Sequence, residues 1–288
     1  MVPSLSRPVN ISKLKSLTLV TDHYDVYLID VIGVIHDGKN PYEKAIEGVN
    51  HLISSGKTVI FLSNNPRPGT LTREKLSSWG VNPPFKVVTS GDIARALLST
   101  QFKDKRIYHL GAERNEEITH SLNLHIVEDI SRADLLLLTA FLEPDESLSQ
   151  HVPLLEEAVR LKLPVLCANP DKRAPHGDKI RLCAGTLADH LLSRGRNVIY
   201  TGKPDKIIFE SLPSLFPAVL FEKKRMIMIG DSLETDIQGA HQFGIDSLLV
   251  LSGNTGKELE RENKSLPVYI QENHAFSMSP RFYMDYLN

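Results

Sequence analysis

The sequence is poor in cysteine: Cys167 and Cys183 are the only two in 288 residues. One disulfide is a weak device for a chain this long, and two thiols cannot complete a four-cysteine zinc site. Both are expected to be reduced and structural. There is no basic excess either, since 33 Lys and Arg stand against 35 Asp and Glu, a formal charge of −2. Bulk-charge binding to nucleic acid or to an anionic membrane needs such an excess, so neither is expected as a partner; a local basic site is still allowed. No stretch approaches the ~18 consecutive apolar residues of a membrane helix. Met1 to Leu17 lacks the apolar run of a signal peptide. A soluble, cytoplasmic protein is expected. Low-complexity tracts and internal repeats are lacking as well.

What is present is a globular composition, 41% hydrophobic and 24% charged, which excludes a mainly disordered chain. The length allows two domains. Short apolar runs at Tyr24 to Ile29, Thr58 to Leu62, Leu135 to Leu138, Val165 to Ala168, Val198 to Tyr200, Met226 to Ile229 and Ser247 to Leu251 read as strands. They do not alternate in polarity, as expected for parallel strands covered on both faces. Amphipathic stretches lie between them, at Tyr42 to Ser55, Thr70 to Ser78, Gly91 to Ser99, Ser147 to Leu161, Pro204 to Ser211 and Glu234 to Phe243. The pattern predicts an α/β fold with a doubly wound parallel sheet, and ligands beyond the carboxyl ends of its strands. Pro83-Pro84 and the stretch Arg194 to Asn197 mark breaks. They suggest a core from residues 1–84 and 197–288, with an inserted α/β cap domain over 85–196.

Four motifs stand at strand ends. Asp30-Val31-Ile32-Gly33-Val34 follows the first strand, and Ser63-Asn64-Asn65 follows the second. Gly202-Lys203-Pro204 opens a helix, and Gly230-Asp231-Ser232-Leu233-Glu234-Thr235-Asp236 joins a strand to a helix. Alone, each has an ordinary reading: a turn Asp, loop amides, an exposed Lys, a first-turn helix Asp. As a set they carry chemistry. Hydroxyl and amides can hold a phosphoryl oxygen, a lysine can balance a carboxylate and a phosphate, and two carboxylates can hold a hard cation.

In that order, Asp, Ser, Lys and Asp resemble the haloacid dehalogenase (HAD) superfamily of Mg²⁺-dependent phosphohydrolases. The resemblance is to its class IIA branch of p-nitrophenylphosphatase-like enzymes, and it runs from about Asp25 to Gly253. Cys167-Ala168-Asn169-Pro170-Asp171 and Ala184-Gly185-Thr186-Leu187 resemble further segments of the branch. The resemblance implies a HAD-like core and an inserted cap between the second and third motifs. It implies Asp30 as the nucleophile that takes the phosphoryl group, Ser63 as a hydrogen-bonding partner of that group, and Lys203 as the balancing charge. Asn64 would help to position the phosphoryl group, with Asn65 beside it. Arg173 is a candidate substrate contact from the charge of its loop rather than from the resemblance, against the plainer reading of a solvated loop charge. Mg²⁺ would be held by Asp30, the Ile32 carbonyl and Asp231, with Asp236 in support. A small phosphorylated substrate is the implied partner, and a homodimer through the caps is left open.

The departure is at Ile32, where family phosphatases carry a second Asp that protonates the leaving oxygen. The carbonyl survives this change and the proton donor does not, a loss worth about 10²–10⁴-fold in rate. A subgroup of the branch that lacks this Asp and continues His-Asp-Gly is similar, with His36-Asp37-Gly38 here. His36 or Asp37 is a candidate replacement, against the simpler reading of an ordinary turn. Two functions lead: a slow Mg²⁺-dependent phosphatase, or a protein that binds Mg²⁺ and a phosphorylated ligand without turnover. Dehalogenation is a weaker third, since it would leave the metal motif without a purpose. Asp171, Lys172, Arg173 and His176 crowd a loop expected near the cleft. Trp79 is expected to pack in the core. The tail beyond Pro267, with Tyr269, Phe276, Phe282, Tyr283 and Tyr286, is expected to dock on the core or on a partner.

Overall fold

A computed structural model describes residues 11–139, 146–176, 179–215, 222–272 and 279–288. Fourteen strands occur among them. In chain order they are β1 (Ser12–Lys13), β2 (Val26–Ile29), β3 (Thr58–Ser63), β4 (Lys86–Thr89), β5 (Arg106–Leu110), β6 (His125–Ile126) and β7 (Leu135–Leu138). Then follow β8 (Val165–Cys167), β9 (Arg173–His176), β10 (Lys179–Leu182), β11 (Val198–Tyr200), β12 (Met226–Gly230), β13 (Asp246–Val250) and β14 (Phe282–Met284).

The first sheet has the order β1-β14-β13-β12-β2-β3-β4 and the second β11-β8-β7-β5-β6, both wholly parallel; β9 and β10 form an antiparallel hairpin. Every residue of β2, β7 and β12 is buried. That is why these runs are continuously apolar: successive side chains face opposite sides, and helices cover both. On one face Tyr27, Ile29, Phe61 and Ile227 pack on Ala45, Ile46, Val49 and Leu52 of the helix Glu43–Ser54. On the other, Leu28, Ile60 and Met228 pack on Ile208, Phe209, Ala240 and Phe243. Each fully buried side chain of this kind stabilises by roughly 1.5–3 kcal/mol. The second sheet repeats the scheme, with Leu136, Leu138 and Val165 against Leu155, Leu187 and Leu191, and Leu135, Leu137 and Leu166 against Ala94, Leu98 and Phe102.

The helix Ser90–Ser99 starts where the chain leaves the first sheet. Thr89 and Asp92 form a reciprocal cap there, at 3.1 and 3.0 Å, which fixes its first turn. Lys86–Thr89 pairs with β3 and Val198–Tyr200 with β8, so each change of sheet falls a few residues later than Pro84 and Asn197. The tail docks on the first sheet. Tyr269 and Ile270 are buried with Leu233, Ile237 and Leu249, and β14 pairs with β13. Phe276 lies outside the described residues. Cys167 and Cys183 are buried and not bridged to each other, and burial pushes the Cys167 thiol up to about 12. Among the described residues no helix is long and apolar enough to cross a membrane.

Candidate active site

The order of the first sheet sets the location. From β2 the chain winds outward through β3 and β4, and from β12 it winds the other way through β13 and β14. The reversal lies between β2 and β12, and a parallel sheet opens its ligand crevice at such a point. Asp30 follows β2, with its N–H donating to the Ile229 carbonyl at 2.8 Å. Asp231 follows β12, its carboxylate receiving the Asn254 N–H at 2.5 Å. Gly33, at φ +92°, lies so close to Asp231 that any side chain there would overlap the carboxylate.

Lys203 enters this crevice from the second sheet, just beyond β11, and is 1% exposed. Its ammonium donates to Asp30 Oδ1 at 2.6 Å, Asp236 Oδ1 at 2.7 Å and the Leu62 carbonyl at 2.6 Å. Three hydrogens meet three acceptors. Burial alone would push this lysine down; the charges of Asp236 and Asp30 outweigh burial and hold its pKa above the ordinary range. Burial pushes Asp30 up to about 7, with Lys203 opposing and Asp236 adding to the rise. Asp231 is held well above its ordinary value, first by burial and then by the charges of Asp30 and Asp236.

Oxygens of Asp30, Asp231 and Asp236 lie within 4.8 Å of one another. Two of these carboxylates meet the one ammonium, and the three together leave two negative charges in excess when ionised. All three donors are hard oxygens, and this set fits a divalent cation such as Mg²⁺. Asp236 has less to offer than the other two. Its Oδ1 meets Lys203, and its Oδ2 accepts the Asp231 and Ser232 N–H groups, each at 3.1 Å. The turn Leu233–Ile237 is a single π-turn, which folds Asp236 back over the strand end.

Ser63 is buried at the end of β3 and lines a cavity of about 330 Å³ with Val31, Ile32, His36, Asn65 and Trp79. Asn64, expected beside substrate, is a clamp instead. Its Oδ1 accepts the Lys203 N–H at 2.7 Å, and its Nδ2 donates to the Lys203 carbonyl at 2.9 Å and to Asp171 at 2.8 Å. Burial pushes that Asp171 carboxyl up to about 6. Arg173 is likewise elsewhere. In the hairpin Ala174 stands opposite Arg181, and Arg173 opposite Leu182. Ala174 and Arg181 therefore face the cavity beside Ser63, whereas Arg173 faces Glu258 at 3.9 Å in a neighbouring hollow. Lys172 pairs with Asp189 at 3.1 Å. The side chain of His176 is outside the described residues.

His36 and Asp37 have separated roles. Asp37 Oδ1 accepts the Lys39 and Asn40 N–H groups at 2.8 and 2.7 Å, an ordinary turn. His36 Nδ1 accepts the Gly38 N–H at 2.9 Å, which leaves its hydrogen on Nε2. Its ring lies 4.7 Å from that of Trp79. Burial pushes His36 down to about 4, so the ring is neutral at physiological pH. Trp79 does pack on the core, and it also forms a cavity wall. Ser252, Gly253 and Asn254 were not anticipated. Ser252 Oγ holds the Gly33 carbonyl at 2.6 Å, and Gly253 packs on Asp231. These residues also follow a strand, β13, and the strand-end criterion would have found them.

The comparisons agree with this geometry. A family profile described as haloacid dehalogenase-like hydrolase matches residues 27–125, and a HAD-hydrolase-like profile matches 200–275. The chain is 28% identical over 287 residues to a 4-nitrophenylphosphatase of Schizosaccharomyces pombe, covering 88% of this chain and 93% of that one. It is 28% identical to phosphoglycolate phosphatase 2 of Arabidopsis thaliana, covering 93% and 95%. A haloacid dehalogenase-like hydrolase from Brucella suis superposes with a TM-score of 0.82 at 29% identity, covering 96% of this chain and 100% of that one. The chain belongs to the haloacid dehalogenase-like hydrolases, in the class IIA branch.

Proposed function

We propose that the chain is a Mg²⁺-dependent phosphatase of small phosphorylated metabolites, working through a phosphoryl group carried on Asp30. The observation that carries this reading is the buried contact of Asp30 with Lys203 at 2.6 Å, at the sheet's reversal and beside the Ser63 cavity. The phosphatase names of the relatives support it. One Asp30 oxygen accepts from Lys203, and the other is left to attack phosphorus, forming an aspartyl-phosphate as the bond from phosphorus to the ester oxygen breaks. That oxygen leaves as an anion that must still take a proton, and water then cleaves the aspartyl-phosphate to phosphate and free Asp30. Ser63 would hydrogen-bond the phosphoryl oxygens, and Lys203 would keep the nucleophile ionised. Asp30, the Ile32 carbonyl and Asp231 would hold Mg²⁺, with Asp236 behind them. The cation would supply charge neutralisation for the phosphoryl group.

No proton comes from Ile32. The group on the cavity wall nearest in sequence that carries an acidic hydrogen is His36, through Nε2. A neutral imidazole is a weak acid, so esters with poor leaving groups should turn over slowly. The test is steady-state hydrolysis of 4-nitrophenyl phosphate and of an alkyl phosphate, with and without Mg²⁺, in wild type and Ile32→Asp. The expected result is Mg²⁺-dependent turnover in wild type, and a gain in Ile32→Asp that is larger for the alkyl ester. Silent wild type with an active Ile32→Asp would favour the second reading, a site kept for binding, which Ile32 itself motivates. Silence in both would remove the phosphatase reading.

The metal assignment has a second readout. Raised carboxyl pKa values mean that the metal-free fold keeps protons the unfolded chain has already lost. That contribution to stability is complete below the unfolded value, about 4, and is lost as pH rises through the folded value, near 7 for Asp30. A bound cation must displace those protons. The rise in Tm on replacing EDTA by MgCl₂ should therefore be larger at about pH 7.5 than at about pH 5.5, and absent in Asp231→Asn. Surface carboxylates contribute equally to both arms and cancel. Equal increments at the two pH values, or an increment that survives Asp231→Asn, would reject the cluster as the metal site.

A further inference from the structure

Three cationic side chains from three separate elements line the Ser63 cavity. Arg67 comes from the loop after β3, Lys75 from the helix Gly69–Ser78, and Arg181 from β10. Among the described residues no carboxylate lines it. Lys203 and the carboxylate cluster, none of which lines the cavity, already provide for the transferring phosphoryl group at its Ser63 end, so these cations are available to another part of the substrate. We propose that the substrate's leaving group carries a second anionic group, a carboxylate or a second phosphate, which Arg67, Lys75 and Arg181 bind. This rests on the phosphatase reading above and narrows its substrate class.

Arg67 supplies the most specific feature. Its Nη2 pairs with Glu117 at 2.7 Å, which fixes the guanidinium plane. Its Nε is buried and has no hydrogen-bond partner. Glu117 Oε2, the other oxygen of that pair, is likewise buried without a partner, so the pair is incompletely satisfied. The Arg67 side chain as a whole is about one-third exposed, and an anionic oxygen in the cavity would meet its accessible N–H groups with a charge-assisted bond. Lys75 Nζ lies 4.8 Å from the centre of the Trp79 ring, so its charge is held at the cavity wall although the side chain is exposed. Arg181 is brought to this wall by the hairpin register that turns Arg173 away. Ile32, Leu71 and Leu76 make part of the remaining wall apolar. At about 330 Å³ the space suits a small metabolite.

The full chain with Mg²⁺ should be assayed on matched pairs. One pair is 3-phosphoglycerate against glycerol 3-phosphate, which differ by a carboxylate in place of a hydroxymethyl group. The other is propane-1,3-diol bisphosphate against its monophosphate. The expected result is a kcat/KM at least about tenfold higher for the anionic member of one pair, the size of one charge-assisted hydrogen bond. The pair that responds identifies the second group. Lys75→Met and Arg181→Gln should each move that ratio toward one, through KM of the anionic member. Ratios near one in wild type, with ready turnover of the neutral members, would overturn the inference and leave the phosphatase reading intact. If nothing turns over, 4-nitrophenyl phosphate included, it is the phosphatase reading that fails. Calorimetric titration of the same pairs then decides the inference: tighter binding of an anionic member upholds it and equal binding rejects it.

Discussion

Asp30→Asn should abolish turnover of every phosphomonoester the wild type accepts, with kcat falling about 10⁴-fold or more. A carboxamide oxygen can still accept the hydrogen bond that Lys203 Nζ gives at 2.6 Å, so the geometry of the site should persist. What is lost is the ionised oxygen that attacks phosphorus. The substitution also removes one of three clustered carboxylates, two of which share a single buried ammonium. In EDTA the variant should therefore match or exceed the wild type in Tm, because burial already disfavours charge on Asp30. Rapid quench with labelled substrate gives the direct reading. Wild type should carry label on the chain within a turnover, and Asp30→Asn should carry none. A residual kcat within tenfold of wild type would mean that another group, or water, attacks the phosphorus.

What could be read from the residues follows from which structural terms are local. Strands β2, β3, β12 and β13 are visible because a parallel strand covered on both faces is apolar at nearly every position, as in Tyr27-Leu28-Ile29 and Ile227-Met228-Ile229. The acidic and hydroxyl residues at the ends of β2, β3 and β12 were legible for the same reason, whereas Lys203 follows the half-buried β11. Strand β4 hides in Lys86–Thr89, four residues with a polar one at each end. Strand β5 hides in Arg106–Leu110, which mixes Arg, Tyr and His among its apolar positions and is only partly buried. Strand β14 exists through its pairing with β13 and β1, and those partners are far away in sequence. The placement of Arg173 outside the Ser63 cavity has the same origin. Alternation in a hairpin decides which arginine meets the cavity, and the register of Ala174 with Arg181 is a property of the folded pair. Asn64 sits where expected, at a strand end. Its amide turns to Lys203 and Asp171, from distant parts of the chain, and no local pattern carries that.

Lys203→Met should be the most destabilising single change in the site, by about 3–5 kcal/mol in metal-free protein near neutral pH. Methionine matches the length of the stem and provides no donor. The Leu62 carbonyl loses its 2.6 Å partner, and Asp30 and Asp236 are left facing each other without the charge between them. The pH dependence separates this from simple loss of packing. Asp30 is already held up to about 7 with the ammonium in place, and its folded value must rise further without it. A raised carboxyl adds stability below the unfolded value, about 4, and loses it as pH rises through the folded one. The deficit of Lys203→Met relative to wild type should therefore grow from about pH 5 to about pH 8, whereas a packing defect would be flat over that range. Lys203 itself adds no acid-limb slope, because its pKa is held above the ordinary 10.5 and it is charged throughout. Lys203→Arg should not rescue the fold. A planar guanidinium is bulkier than an ammonium and cannot aim three donors at Asp30, Asp236 and the Leu62 carbonyl from one buried point. Turnover of 4-nitrophenyl phosphate should fall by about 10²–10³-fold in either variant. Urea unfolding at the two pH values tests the claim, and a deficit that is absent or independent of pH would show that Lys203 does not hold the carboxylate cluster together.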